Sequence, residues 1–126
     1  MQNRVDSGLE VELHDVFKVK QVTRGTELES DTAADLVSMD AAQASRTHRH
    51  NLAETVLYFM DGEATVFVND EPHQVANGDR LLIAKGEWHS VSTPEGCGCQ
   101  FLSVQTPPIL DTATGLFDLE WRDKTA

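Results

Sequence analysis

Histidines are the residues of this sequence whose types and spacing could support metal chemistry. His48 and His50 stand as His-x-His in the stretch RTHRHN, and His89 lies in the stretch KGEWHSV. On a β-strand, side chains two positions apart face the same side, so both imidazoles of the pair would project from one face. Imidazole nitrogens bind zinc and other divalent first-row metals. The spacing therefore indicates part of a metal site, with His89 as the third ligand if its strand returns beside the pair.

Simpler interpretations of the same histidines stay open at this point. The pair can be two exposed residues on a polar loop, and His89 can be a hydrogen-bonded core residue. His14 and His73 have no partner at ligand spacing, and we expect both to face solvent.

The two cysteines, Cys97 and Cys99, lack the second pair that a zinc ribbon needs. A disulfide across one glycine would be strained. We therefore interpret them as reduced thiols where a turn leads into a strand.

Short alternating runs of apolar and polar residues, separated by turn residues, are the elements that must position the histidines. This pattern is typical of an all-β chain. The predicted strands cover residues 9–22 with a break near 14–15, 36–40, 55–60, 64–68, 73–76, 80–84, 89–92, 99–105 and 116–122. Asp61-Gly62 predicts a tight hairpin, Asn69-Asp70 predicts a second one, and residues 26–34 form an acidic surface loop. A sandwich, a jelly roll and a small barrel all fit this pattern.

Length and charge narrow the possible functions. The chain has 126 residues, which fits one domain, and its net charge is −11. An acidic surface repels phosphate backbones and anionic lipid, so we expect no nucleic-acid partner and no membrane partner. The sequence contains no apolar run long enough to span a bilayer and no secretory signal, which predicts a cytoplasmic protein.

Two spaced motifs make the chain resemble the cupin family. The first family motif, G-x5-H-x-H-x3,4-E-x6-G, is matched by His48, His50 and Gly62, with Ala42 in place of the opening glycine. The second, G-x5-P-x-G-x2-H-x3-N, is matched by Gly78, Gly86 and His89, with Ala84 and Thr93 in place of the proline and the asparagine. The resemblance covers about residues 36–106.

The resemblance implies a cupin-type jelly-roll barrel, also called a double-stranded β-helix, with both motifs aimed inward at one end. The whole chain, residues 1–126, would be one cupin domain, with strands 9–22 before the motif-bearing core and an extension at 109–126 after it. It also implies His48, His50 and His89 as ligands of one divalent metal ion, which can be Zn, Fe, Mn, Ni or Co. Small members of the family often form homodimers, so a homodimer is expected.

The family's carboxylate ligand is the point where the sequence departs from the pattern. Counting forward from His50 leads to Glu54, whereas counting back from Gly62 leads to Thr55. Strand parity places Thr55 on one face with Leu57, and Glu54 on the other. We predict that Thr55 faces the site, although a bulge near residue 53 would reverse this. Three neutral imidazoles would leave the ion at its full +2 charge and raise its Lewis acidity.

Three functions remain compatible with the sequence. The first is a metal-dependent enzyme that acts on a small oxygen-bearing metabolite as an isomerase, lyase, cyclase or dioxygenase. The second is a non-enzymatic module that binds a small molecule or a metal, and the third is a degenerate cupin without metal. Inward parity predicts a pocket wall of Leu57, Phe59, Phe101 and Trp88 around a small-molecule ligand, and no catalytic residue can be assigned.

Overall fold

A computed structural model describes residues 5–122 of the chain. Within these residues the protein is all β and contains ten strands. They are β1 (Glu12–His14), β2 (Phe17–Gln21), β3 (Ala33–Met39), β4 (His48–Arg49), β5 (Glu54–Val68), β6 (Glu71–Ala76), β7 (Arg80–Ile83), β8 (His89–Ser92), β9 (Cys99–Thr106) and β10 (Glu120–Trp121).

The strands form two antiparallel sheets that share the long strand β5. The first sheet runs in the order β1-β2-β3-β9-β5-β7, and the second runs β6-β5-β8-β4-β10. One half of β5 pairs with β9 and β7, whereas its other half pairs with β6 and β8. A strand that passes from one sheet to the other closes the two into a single curled wall. The predicted cupin-type jelly roll is confirmed.

The predicted hairpin at Asp61-Gly62 is wrong, because β5 continues through these residues. The pairing of β5 with β9 shifts by one residue between Phe59 and Asp61, which is a β-bulge. Gly62 has φ of 75°, and a Cβ at this position would collide with the carbonyl oxygen of Gly98. The glycine therefore serves a bend in a continuous strand rather than a reversal of the chain.

The second predicted hairpin is present. Val68 pairs with Glu71, so Asn69 and Asp70 alone form the connection, and both have positive φ, 48° and 66°. Two successive positive φ values are the conformation of a type I′ turn, which Asn and Asp tolerate well. Pro72 lies on β6 and pairs with Phe67 of β5, which is the one described strand that pairs with β6.

Other predicted boundaries differ at the two ends of the chain. Of the strand predicted at 116–122, only Glu120–Trp121 is a strand. The predicted loop 26–34 ends two residues earlier than expected, because Ala33 and Ala34 already belong to β3. The break near residue 14 is correct and separates β1 from β2.

The core lies between the sheets and is made of strand positions that alternate inward. Phe59, Ile83 and Val66 are the largest side chains that are fully buried. Phe101 on β9 packs against both Phe59 and Phe17, with ring centroids 4.9 and 6.2 Å apart. These ring contacts tie β9 to β5 and to β2.

Candidate metal centre

Two neighbouring strands bring the three candidate histidines to one point. His48 lies on β4 directly opposite His89 on β8, and His50 follows β4 by one residue. Each of the three offers a ligand atom, and these atoms all lie within 4.8 Å of one another. The ring centroids are 4.3 to 5.1 Å apart. The structure therefore brings together the residues that the two motifs single out.

Backbone carbonyls hold the far nitrogen of each ring. The Nδ1 of His50 lies 2.7 Å from the carbonyl oxygen of Asp118, and that of His89 lies 3.0 Å from the carbonyl of Glu87. The Nδ1 of His48 has a longer contact, 3.4 Å, to the carbonyl of Arg46. A carbonyl can only accept, so each Nδ1 donates its proton and each Nε2 keeps a free lone pair. This is the arrangement that orients histidines toward a metal.

Burial keeps the three imidazoles neutral. Desolvation lowers the pKa of His48 to about 3, and the neighbouring His89 and His50 add to the effect. Burial likewise lowers the pKa of His89 to about 4, and it lowers the pKa of His50 against the opposing hydrogen bond to Asp118. Metals bind the neutral form of imidazole. The rings are therefore ready to bind a cation at neutral pH without first losing protons.

The donor set fits a divalent transition metal. Three converging neutral imidazoles, with their outer nitrogens already hydrogen-bonded, match the three-histidine sites that bind zinc and related ions with positions left open. Within the described residues no cysteine or carboxylate belongs to the cluster.

Thr55, rather than Glu54, faces the histidines, as strand parity predicts. Thr55 is buried and lines the same cavity as the three rings. The Glu54 side chain is exposed and accepts a hydrogen bond of 2.8 Å from the backbone N–H of Lys85. The bulge that changes strand parity comes after Phe59, and so the inward direction of residue 55 is preserved.

The histidines form part of the wall of a cavity of about 270 Å³. Leu57 and Phe101 line it, as predicted, together with further apolar residues from both sheets. The other two predicted wall residues are wrong. Phe59 lies in the core outside this cavity, and the ring of Trp88 lies beneath the guanidinium of Arg49, 4.2 Å from ring centroid to Cζ.

Polar residues of the first sheet also line the cavity. They are Asp35, Thr55, Ser103 and Gln105. Ser103 and Gln105 were missed in the sequence, although they share the inward face of β9 with Phe101, and strand parity could have found them.

The C-terminal extension forms part of the cavity wall, which the sequence did not reveal. Ile109, Phe117, Leu119 and Trp121 line it, and β10 pairs with β4. The ring centroid of Trp121 lies 5.6 Å from that of His48. The guanidinium of Arg46 lies over the Trp121 ring, with its Cζ 4.0 Å from the ring centroid. The extension thus supplies part of the wall of the site. The carbonyl of Asp118 also accepts a hydrogen bond from His50, one of the three candidate metal ligands.

The remaining candidate residues lie away from the cluster. His14 is exposed beside Glu12 at 3.2 Å and lines the outer part of the cavity, and His73 is half-buried on β6. Cys97 and Cys99 are free thiols, and burial raises the pKa of Cys99 to about 11. None of the described residues forms a helix that could cross a membrane.

Comparisons with known proteins agree with this architecture. A family model described as the cupin domain matches residues 35–105. Among solved structures, the polyketide cyclase RemF from Streptomyces resistomycificus is 19% identical with a TM-score of 0.72, over 86% of this chain and 81% of that one. A putative sugar phosphate isomerase from Acidithiobacillus ferrooxidans is 18% identical with a TM-score of 0.68, over 79% of this chain and 67% of that one.

A third similar structure is a variant of PAC13 from Streptomyces with uridine. It is 10% identical with a TM-score of 0.74, over 96% of this chain and 92% of that one. A search of curated proteins finds no match. At these identities the structural likeness establishes the fold.

Proposed function

The chain belongs to the cupin family, and we propose that it is a metal-dependent enzyme acting on a small oxygen-bearing molecule. The observation that carries the proposal is the convergence of His48, His50 and His89, with their outer nitrogens held by carbonyls, on the wall of a ligand-sized cavity. A concave apolar site with a few converging polar groups is the usual form of a small-molecule site.

The chain's own residues prepare the site for such chemistry. The three histidines would hold the divalent ion, which when bound supplies Lewis acidity toward a substrate oxygen. Trp121 and Leu119 add apolar surface to the cavity wall, against which a substrate can pack. Thr55 leaves the position of the family's carboxylate without a charge, so the ion's +2 charge would stay uncompensated by the protein.

The similar structures do not select one reaction. They are a cyclase, a putative isomerase and a protein in complex with uridine. A polyketide, a sugar phosphate and uridine all carry oxygen atoms, which supports the proposed substrate class. Isomerase, lyase, cyclase and dioxygenase reactions all remain compatible with it.

Metal analysis tests the proposal directly. Protein purified without chelator should contain close to one divalent ion per chain by elemental analysis, and His89→Ala should lose most of it. His73→Ala is the matched control and should keep the metal, because His73 lies outside the cluster. Wild-type protein that holds almost no metal and takes up none on reconstitution with Zn, Fe, Mn, Ni or Co would refute the proposal.

A non-enzymatic binding module is the second candidate. It is favoured by the scarcity of acid–base groups in the cavity, where the titratable residues besides the three histidines are His14, Asp15 and Asp35. A screen of small metabolites separates the two functions. Product formation or oxygen consumption supports the enzyme, whereas ligand-induced thermal stabilisation without turnover supports the binding module.

We further infer that two copies of the chain associate through the outer face of the first sheet. Leu82, Tyr58 and Met60 project from this face and are 64%, 44% and 42% exposed. Val56 pairs with Leu82 and with Val104, which extends the apolar row across three strands. The terminal strand β10 pairs with β4, whereas the sheet face has no such partner among the described residues and is the better candidate for contact between copies.

A further inference from the structure

Four polar side chains of the first sheet line the same cavity as the histidines, and none of them belongs to the histidine cluster. We call Asp35, Thr55, Ser103 and Gln105 the polar cluster. Gln105 is 3% exposed, Thr55 4% and Ser103 6%. Buried polar groups cost free energy unless they find partners, so a cluster of this kind needs an explanation.

Strand register makes the cluster one continuous patch. Strand β9 runs between β5 and β3. Its Gln105 lies opposite Thr55 on β5, and its Ser103 lies opposite Asp35 on β3. Residues directly opposite one another on antiparallel strands have Cβ atoms about 5 Å apart, and residues 103 and 105 share the inward face of β9. All four side chains line the cavity that contains His48, His50 and His89.

The cluster leaves hydrogen-bonding capacity unused. The Nε2 of Gln105 donates to Asp35 at 3.2 Å and to Ser103 at 2.5 Å, which occupies both amide protons. The Oγ1 of Thr55 is buried and has no hydrogen-bond partner in the described part of the chain. Because Ser103 accepts from Gln105, its own hydroxyl proton remains available.

The unused groups are both donors and acceptors. Thr55 and Ser103 can donate, whereas Thr55, the Oε1 of Gln105 and the second oxygen of Asp35 can accept. Burial raises the pKa of Asp35, against the lowering effects of its hydrogen bond from Gln105 and of the charge of Arg24. Arg24 itself lies 3.7 Å from Glu12, outside the cluster. A hydroxyl group, which donates one hydrogen bond and accepts others, complements such a set.

Much of the remaining cavity wall is apolar. Val37, Leu57 and Phe101 from the first sheet and Val91 from the second line the same cavity. A cavity of about 150 Å³ admits a benzene ring, so about 270 Å³ holds one substituted ring and little more. An apolar wall of this kind favours a ligand with an apolar face.

We propose that the polar cluster is a recognition subsite for a hydroxyl group of the ligand, and that the ligand is a small hydroxylated ring compound. The ring would lie against Leu57 and Phe101, with one oxygen toward the histidines and a second hydroxyl toward Thr55 and Ser103. This assignment rests on the proposed function for the oxygen at the histidines. The hydroxyl subsite itself is built from protein side chains alone.

Matched pairs of probes test the subsite. Resorcinol and m-cresol, and hydroquinone and p-cresol, differ by one hydroxyl replaced with a methyl, and neither diol chelates a metal through adjacent oxygens. Calorimetric titration of metal-loaded protein should show at least tenfold tighter binding of the diol in one pair, because the methyl analogue leaves the buried cluster without a partner.

Variants assign the preference to the cluster. Thr55→Val and Ser103→Ala should each reduce the diol preference to about twofold or less while metal content stays unchanged. Thr65→Val on the same strand is the matched control and should keep the preference, because its hydroxyl donates to Gln74 outside this cavity. No preference in either pair, or a preference that survives both cluster variants, overturns the subsite.

The two proposals fail in different ways. A wild-type protein without metal contradicts the proposed function, and the hydroxyl preference can still be measured on that metal-free protein. A metal-loaded protein that binds diol and cresol equally well contradicts the subsite alone.

Discussion

The three histidine rings are held neutral by burial, and this has a consequence for stability. The folded-state pKa values of His48 and His89, about 3 and about 4, lie below the value of about 6.5 in an unfolded chain. Between these limits the unfolded state binds more protons than the folded state. Stability is therefore fully present above about pH 6.5 and is lost as the pH falls toward the folded pKa values.

Metal-free protein should show this loss in denaturant titrations. Each of the two histidines should cost about 1.6 kcal/mol of unfolding free energy between pH 6.5 and pH 5, because the unfolded imidazole goes from half to almost fully protonated and one proton corresponds to about 1.4 kcal/mol per pH unit. Since the pKa of His50 is lowered as well, His89→Gln should remove about a third to a half of the pH dependence. Equal slopes for wild type and variant over this range would contradict the neutral, buried state of His89.

The sequence revealed those site residues whose direction follows from the alternation of side chains along their own strand. His48 and His50 are recognisable from their alternate spacing, and Thr55 from its parity with Leu57. Asp118 was not recognisable, because its role depends on a long-range approach of the extension. Its carboxylate accepts hydrogen bonds from the backbone N–H groups of Asn51, Leu52 and Ala53 at 2.7 to 3.0 Å, across 65 to 67 sequence positions.

At the scale of elements, the sequence predicted strands better than the way they join. Asp61-Gly62 has the composition of a hairpin turn, but the pairing of Gly62 with Cys99 continues the ladder. Composition cannot distinguish a bulge from a reversal, since both use a glycine with positive φ. The difference is decided by β9, which lies about 40 residues away and supplies partners on both sides of the bulge.

The loop before the metal motif carries strain that a substitution can test. Ala42 stands where the family motif has glycine, and its φ is 57°. An L-residue in this region costs about 1–2 kcal/mol, so Ala42→Gly should raise the unfolding free energy by about 0.5–1 kcal/mol after the loss of backbone entropy. Thermal and denaturant unfolding of metal-free protein measures this gain.

Ala41→Gly is the matched control for this loop. Ala41 is not among the residues with positive φ, so glycine there relieves nothing and should lower stability by about 0.5–1 kcal/mol. If both glycines destabilise the protein equally, Ala42 is not strained. Thr93, in place of the motif asparagine, holds the same loop by donating to the carbonyl of Asp40 at 2.6 Å and accepting from the N–H of Gln43 at 3.0 Å.

At the scale of the whole molecule, the outer face of the first sheet makes a prediction about assembly. Leu82→Glu places a charge on the most exposed residue of the apolar row and should shift sedimentation from dimer to monomer. Leu28→Glu is the control, because Leu28 is similarly exposed, at 59%, but lies in the acidic loop away from this face. A wild-type protein that sediments as a monomer, or a dimer unaffected by Leu82→Glu, would refute the interface.

The extension couples the stability of the molecule to the histidine site. Arg49 and Glu120 pair at 3.1 Å, and Arg122 and Asp70 pair at 2.8 Å, which fasten it at the surface. Such exposed pairs contribute little, so most of its attachment must come from the hydrogen bonds of Asp118 and the ring contact of Trp121 with His48. The extension is therefore a structural part of the barrel, although it lies beyond the residues matched by the family model.

Removal of residues 109–126 should lower the melting temperature and weaken metal binding by about 10- to 100-fold, since His50 would lose the carbonyl that orients it. Asp118→Ala tests the same coupling in the full chain and should cost about 2 kcal/mol, because three backbone N–H groups lose a charged acceptor. Thr112→Ala, at an exposed position of the same segment, should change neither quantity. Calorimetry and metal titration measure both effects, and an Asp118→Ala protein with wild-type stability and metal affinity would show that the extension merely covers the site without ordering it.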